Sequence, residues 1–365
     1  MSKKALTIYP YSLEMFSFVK KYLSCEREYE LPYVCTFPGT GLVGKLCTGS
    51  EDKNETDLEI LEDLDSVLEK TDLILVPHTE LALDNSDYLF EKIVDLLKLG
   101  KKVICNISFG EKKDKILLGR EFLDLFSFGE MAHWKSVYEN LGSRMYTSRI
   151  PIILTGEIFP YKSEISNSFC ISDYFGEEYK VVNIGGCQFS NLFGQFEMPS
   201  FLFDSDILED EKVLKFNHFV RDVIEKENPD LLIINLPDAP VKYKQNLNLN
   251  GYGILSYIIS KAVMADGIIL TIPCELLDKG IINKLQNKIR CLYGIPLICV
   301  DVSNIQCFEN VSVHTIRLSE NYFRNMFFER YFKDCECEIV STVIDKSAMG
   351  KCVRKYFEEE SNGDL

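Results

Sequence analysis

Short apolar runs rich in β-branched residues alternate along this chain with helical patterns, and that order narrows the possible folds more than any other feature. In the first half, residues 5–9 (ALTIY), 33–37 (YVCTF), 72–77 (DLILVP) and 102–107 (KVICNI) are bounded by Pro, Gly or charge, as strands buried on both faces are. Helices are predicted between them at 12–23 and 86–99. In the second of these, Leu89, Ile93, Leu96 and Leu97 recur at the 3.6-residue period and Gly100 stops the pattern. A second series follows Arg149, with strands at 150–156 (IPIILTG), 179–184 (YKVVNI), 230–238 (DLLIINLPD), 267–272 (GIILTI) and 296–302 (PLICVDV). Helices are predicted from about 163, from Glu209 to Lys226, from Gly253 to Val263 and from Leu276 to Cys291. Alternation of this kind builds βαβ units and parallel sheets with helices on both faces. The expected fold class is therefore α/β, with two doubly wound, mostly parallel sheets, one Rossmann-like and one P-loop-like.

The chain has 365 residues, which at roughly 100 to 200 residues per domain suits such a division. The expected parts are an α/β domain over 1–147, a second over 148–318, and a C-terminal aromatic helix and tail over 319–365. The first boundary is placed near 142–149, after a charged and aromatic segment that contains Trp134. Residues 319–333 (SENYFRNMFFERYFK) carry Tyr322, Phe323, Met326, Phe327 and Phe328 on or near one helical face. That face either packs back on the second domain or binds a partner; the final EEESNGDL is expected to fray.

Charge excludes one class of partner. Forty Lys and Arg against 56 Asp and Glu give a net −16, and a surface so negative repels a phosphate backbone, so no nucleic acid is expected. No stretch approaches the roughly 20 apolar residues of a membrane span, and the apolar start is cut by Pro10 and Glu14, unlike a secretory signal. The thirteen cysteines are odd in number and scattered through apolar runs, as with Cys35, Cys105 and Cys299. A reducing cytoplasm and no disulfide framework are the expectation.

Two turns have the composition of phosphate-binding loops. After the strand ending at Phe37, Gly39, Gly41 and Gly44 form GxGxxG, while Gly39, Gly44 and Lys45 form GxxxxGK with Leu46 where Ser or Thr belongs. Glycines let amides approach an anion and lysine adds a point charge, but the polar stretch Cys47 to Asp57 follows where a helix should start. A structural turn and a binding loop both fit. The second turn, Gly156 to Ser163, matches the P-loop frame at Gly156, Lys162 and Ser163 between a strand and a helix. Tyr161 replaces the inner glycine and Pro160 removes an amide. Asp238, at the end of DLLIINLPD, stands where a carboxylate would help hold Mg²⁺, or where a turn-forming aspartate would serve.

Other polar positions are ambiguous between structure and ligand binding: Asn217 and His218 on a long helix, His78 after a strand, and the loop of Asn248, Asn250, Gly251 and Gly253. No metal site is expected. Cys335 and Cys337 supply two thiolates, and neither Cys352 nor His78, His133, His218 and His314 stand at zinc spacing around them.

The segments IYPYSLEMFSFV, FPGTGLVGK, PIILTGEIFPYKSEIS, YKVVNIGGCQFSNLFGQFEMPSFLF, EDEKVLKFNHFV, PDLLIINLPDAP and NGYGILSYIISKAV together resemble the peptide maturation system proteins of clostridial natural-product gene clusters. The resemblance runs from about residue 7 to 302. It implies an accessory protein for a ribosomally made peptide, with a precursor peptide or a radical-SAM maturase as partner, and it carries no catalytic residue set. The family turn opens on a GEN-type sequence, from which Ile158, Phe159 and Pro160 depart. The second half is also similar to the P-loop fold of dethiobiotin synthetase, through IPIILTG with Lys162 and Ser163, PDLLIINLPD, ADGIILTI and GIPLICVDVSN, with its diagnostic glycine missing. Three functions are thus open. The first is an accessory binding protein. The second is a nucleotide-dependent enzyme using Gly156, Lys162, Ser163 and Asp238 for a nucleoside triphosphate with Mg²⁺. The third is an NAD(P)-dependent oxidoreductase using Gly39, Gly41 and Gly44.

Overall fold

A computed structural model describes residues 4–23, 29–47, 58–105, 107, 109, 144–158, 164–185, 189–242, 253–309, 313–330 and 337–363. The chain divides into two compact units, Met1–Trp134 and Lys135–Leu365.

The first unit is a five-stranded parallel sheet of β1 (Lys4–Ile8), β2 (Tyr29–Cys35), β3 (Ile60–Leu61), β4 (Leu73–Val76) and β5 (Lys102–Cys105), in the order β3-β2-β1-β4-β5. Its helices are α1 (Phe16–Leu23), α2 (Glu80–Asp84) and α3 (Ser86–Lys98). Every residue of β4 is buried, which explains why its sequence is an unbroken apolar run. Leu89, Ile93 and Leu96 seat α3 on the sheet beside Ile74, Val76 and Val103, each such side chain contributing about 1.5–3 kcal/mol by leaving water. Thr79 caps α2, its Oγ1 accepting from the Ala82 amide at 3.3 Å. β3, which the sequence did not announce, pairs Ile60 and Leu61 with Val34 and Cys35.

The second unit is a six-stranded parallel sheet of β6 (Ile152–Glu157), β7 (Val181–Ile184), β8 (Leu231–Asn235), β9 (Gly267–Pro273), β10 (Leu297–Ser303) and β13 (Glu338–Val340), ordered β13-β10-β9-β6-β8-β7. A hairpin of β11 (Ile305–Glu309) and β12 (Val313–Arg317) precedes α8 (Glu320–Arg330). The other helices are α4 (Glu164–Phe175), α5 (Glu209–Glu227), α6 (Ile254–Ala262), α7 (Lys279–Tyr293) and α9 (Ala348–Gly363). α7 starts three residues later than the apolar pattern predicts because Asp278 is its N-cap, Oδ1 accepting from the Ile281 amide at 3.1 Å.

The C-terminal region departs most from expectation. β13 adds an edge strand beside β10, and the acidic tail expected to fray is helical to Gly363. Ile171 and Phe175 of α4 and Met349, Cys352 and Val353 of α9 cover one sheet face over Ile153, Ile233, Ile269 and Cys299. Gly350 lets α9 approach α4 closely, since a Cβ there would strike the Tyr174 ring. In α8, Phe323 and Phe327 are buried and Tyr322 is exposed. Among the described residues no helix is long and apolar enough to cross a membrane.

Candidate functional site

In an open parallel sheet, ligands bind beyond the carboxyl ends of the strands where the strand order reverses. In the first unit that point lies between β1 and β4. The glycine loop lies one strand away, after β2. Its three glycines have φ of +77°, +70° and +78° at Gly39, Gly41 and Gly44, backbone that L side chains rarely adopt. Two of its amides, those of Gly44 and Lys45, are already engaged. Gly44 N–H donates to Ile60 O at 2.9 Å and Lys45 N–H to Leu42 O at 3.0 Å, while Ile60 N–H returns to Lys45 O at 2.9 Å. Cys47 N–H donates to Leu58 O and Leu46 bridges Glu59, so the loop closes back on the segment entering β3. Lys45 is exposed. This geometry closes the turn on the segment that enters β3. A dinucleotide fingerprint would follow β1, where the chain instead reads Tyr9-Pro10-Tyr11-Ser12 with no glycine. His78 is exposed at the end of β4.

In the second unit the reversal lies at β6, flanked by β8 on one side and β9 on the other. Gly156 and Glu157 end β6, and α4 opens at Glu164, so the strand–turn–helix frame is present; Lys162 and Ser163 lie outside the described residues. Gly156 is required by packing, because a Cβ there would come within 2.5 Å of Pro240 Cγ.

Asp238 does the work of a cap. Its Oδ2 accepts from Leu255 N–H at 3.0 Å, and its Oδ1 accepts from Ser256 N–H at 2.8 Å and from the Ser256 hydroxyl. Both oxygens therefore hold the first turn of α6. Burial pushes this carboxyl above its usual range, partly offset by those hydrogen bonds. Gly253, with φ of +75°, lets the same turn pass the Ala239 carbonyl, 2.8 Å from where a Cβ would stand. The Tyr293 hydroxyl completes the joint, donating to Pro240 O at 2.6 Å. At the end of β8 itself, Asn235 accepts from the Thr155 hydroxyl at 2.5 Å and donates to Ile184 O at 3.3 Å. The carboxylate at the β8 edge is thus tied to α6 by three hydrogen bonds, and among the described residues no group of three His, Cys, Asp or Glu side chains is arranged to hold a metal.

The polar groups that do gather at this edge are ones sequence reasoning passed over. Glu157 on β6, Thr271 on β9 and Asp301 on β10 stand in register across three adjacent strands, all almost fully buried. The Thr271 hydroxyl accepts from Asn167 of α4 and donates to Asp301 Oδ2 at 3.3 Å. Asp301 Oδ1 accepts from Thr342 N–H at 2.8 Å, which fastens the turn after β13 to the end of β10. Burial pushes the Asp301 carboxyl up to about 6, with the hydrogen bonds from Thr342 and Thr271 only partly opposing it. The available signal was a single polar residue near the carboxyl end of an otherwise apolar run, as in GIILTI and PLICVDV.

The remaining candidates are structural or undescribed. Asn217 accepts from Tyr146 N–H at 2.7 Å and donates to Tyr146 O at 2.8 Å and Ala262 O at 2.7 Å, pinning residue 146 to α5 and α6. His218 lies beside Arg221, Nδ1 to Nη1 at 2.8 Å, and burial followed by that guanidinium lowers its affinity for a proton. Asn248, Asn250, Gly251, His133 and Cys335 lie outside the described residues.

No family model matches the chain, and no curated protein sequence matches it. A solved structure of a DUF1611 family protein from Anabaena variabilis is similar, with a TM-score of 0.60 and 10% identity over 97% of this chain and 100% of that one. That likeness shows the fold: α/β with two mostly parallel sheets. Chloroplast FtsY from Physcomitrella patens aligns at a TM-score of 0.27 and 14% identity over 60% of this chain and 74% of that one, too little to argue from.

Proposed function

We propose that this chain is an accessory binding protein in the maturation of a ribosomally made peptide, taking its ligand at the carboxyl edge of the second sheet without turning over a nucleoside triphosphate. The observation that supports the non-hydrolytic part is the Asp238 carboxylate, both of whose oxygens already accept hydrogen bonds from the α6 amides and Ser256. Hydrolysis at a P-loop needs a metal-holding carboxylate beside the phosphate strand, and here that place is a helix cap. The choice of edge is supported by the buried Glu157–Thr271–Asp301 row, since buried carboxyl groups with shifted proton affinity gather at functional edges of a fold. The peptide setting rests on the sequence resemblance, with the precursor peptide or its radical-SAM maturase as partner.

Calorimetric titration of the purified chain with the precursor peptide tests this reading. Saturable binding is expected, unchanged in Lys45→Ala; no binding to peptide or maturase contradicts it.

A second reading, nucleotide binding through Lys162 and Ser163, is favoured by the strand–turn–helix arrangement of β6 and α4. It predicts a rise in thermal stability with ATP or GTP that Lys162→Ala abolishes, because a ligand that binds only the folded state stabilises it. The oxidoreductase reading would need the glycine loop, whose place after β2, away from the β1–β4 reversal, argues against NAD(P) there.

A further inference from the structure

Carboxylates crowd the carboxyl edge of the first sheet. Glu59 and Glu62 flank β3, Asp63 and Asp65 lie on the turn after it, Asp84 ends α2 and Asp87 stands in the first turn of α3, and all are exposed. Glu59 adjoins the glycine loop, its Oε1 3.9 Å from where a Cβ on Gly44 would stand. Against these charges are Lys45, exposed on that loop, and Lys92, whose ammonium already pairs with Asp65 at 2.6 Å. Among the carboxylates one aromatic ring is left in water. Tyr9 packs edge-on against Phe37 with centroids 5.3 Å apart, and Phe37 packs edge-on against Tyr88 at 5.7 Å, so the rings run from the ends of β1 and β2 to the first turn of α3. Tyr9 and Phe37 are buried, whereas Tyr88 is 54% exposed. Lys92 follows Tyr88 by one turn of α3. Its pairing with Asp65, whose amide donates to Asp63 Oδ1 at 2.9 Å, therefore brings both aspartates to the Tyr88 side of the helix. Val43 on the loop after β2 and Leu83 on α2 are also exposed at this edge.

We infer that this edge of the first unit is a docking surface for a cationic peptide segment. An arginine or lysine of the segment lies on the Tyr88 ring, further basic side chains meet the carboxylates, and apolar ones cover Val43 and Leu83. The argument is complementarity. The face of an aromatic ring and a carboxylate both attract a cation, and arginine can stack on the one while its planar fork holds the other. A partner carrying phosphates or carboxylates would be repelled, locally by these side chains and generally by the net −16 of the chain. A polyamine would match the charge but leave the apolar side chains in water, which is why a peptide fits better. Because the carboxylates are exposed, their attraction is screened by salt. This surface belongs to the first unit and does not rest on the ligand edge proposed for the second.

The test follows the fluorescence anisotropy of a short labelled peptide of alternating arginine and leucine added to the full chain, with a glutamate–leucine counterpart as control and spermine as competitor. Saturable binding of the arginine peptide is expected, weakening as salt rises, with none for the glutamate peptide. Spermine should compete about tenfold less effectively than unlabelled arginine peptide. Tyr88→Ala should weaken binding about fivefold, and Tyr88→Phe, which keeps the ring, should bind like the parent. Glu59→Lys combined with Asp84→Lys should weaken it by about tenfold or more. The same change of net charge placed on the second unit, Glu177→Lys combined with Glu360→Lys, should leave it nearly unchanged; all four carboxylates are exposed, so these variants keep the fold. No binding of the arginine peptide, equal losses from the two charge pairs, parental affinity in Tyr88→Ala, or competition by spermine equal to that by the peptide overturns the inference.

Discussion

Gly39, Gly41 and Gly44 in the first unit and Gly156 and Gly253 in the second all lie near the carboxyl ends of parallel strands, yet they answer to different demands. Around Gly39 and Gly41 there is open space, and the backbone conformation alone asks for glycine. Around Gly156 and Gly253 a side chain would strike Pro240 or the Ala239 carbonyl, because β6, the turn after β8 and the start of α6 are pressed together there. A glycine pattern therefore reports backbone shape in one unit and close packing in the other.

Gly253→Ala probes this contrast hardest. Left-handed backbone and a carbonyl 2.8 Å away act together, so stability should fall by about 3 kcal/mol or more in urea unfolding. A loss under about 1 kcal/mol would mean that the joint is not closely packed.

Asp301→Asn is next. Burial pushes the folded Asp301 carboxyl up to about 6 from the ordinary 3.8, so ionisation is disfavoured in the fold. Stability owed to this group is fully present below about pH 4 and is lost as pH rises through 6, a change of roughly 3 kcal/mol at 1.36 kcal/mol per unit. The amide cannot ionise, so the variant should lose that pH dependence and exceed the parent in stability near pH 8. An unchanged pH profile would remove Asp301 as a buried acid of the edge.

Asp238→Ala should cost about 2 kcal/mol by leaving the α6 amides uncapped, and calcium or magnesium should not alter that loss. Metal-dependent stabilisation of the parent that vanishes in the variant would restore Asp238 to a metal role. Gly41→Ala has the smallest effect, about 1 kcal/mol from backbone strain alone, with peptide binding intact.

How far the sequence could be read follows from the same physics. The strands of both sheets were legible because burial on both faces makes them continuous apolar runs, as in β4 and β9. β3 and β13, of two and three residues at sheet edges, are too short to impose a pattern. Asp238 was visible as a strand-end carboxylate, but its partners, Leu255 and Ser256, are 17 and 18 residues away, so its role as a cap depends on the folded turn. Thr271 and Asp301 looked like strand residues because only the register of β9 against β10 places them side by side.

Whether the β6–α4 turn binds without hydrolysing is decided by phosphate release from Mg²⁺-ATP and Mg²⁺-GTP, measured for the purified chain beside Lys162→Ala. Release at the protein-free background is predicted for both proteins, with and without the precursor peptide. Release above background by the parent that Lys162→Ala abolishes would contradict the non-hydrolytic reading and make that turn a working nucleotide site.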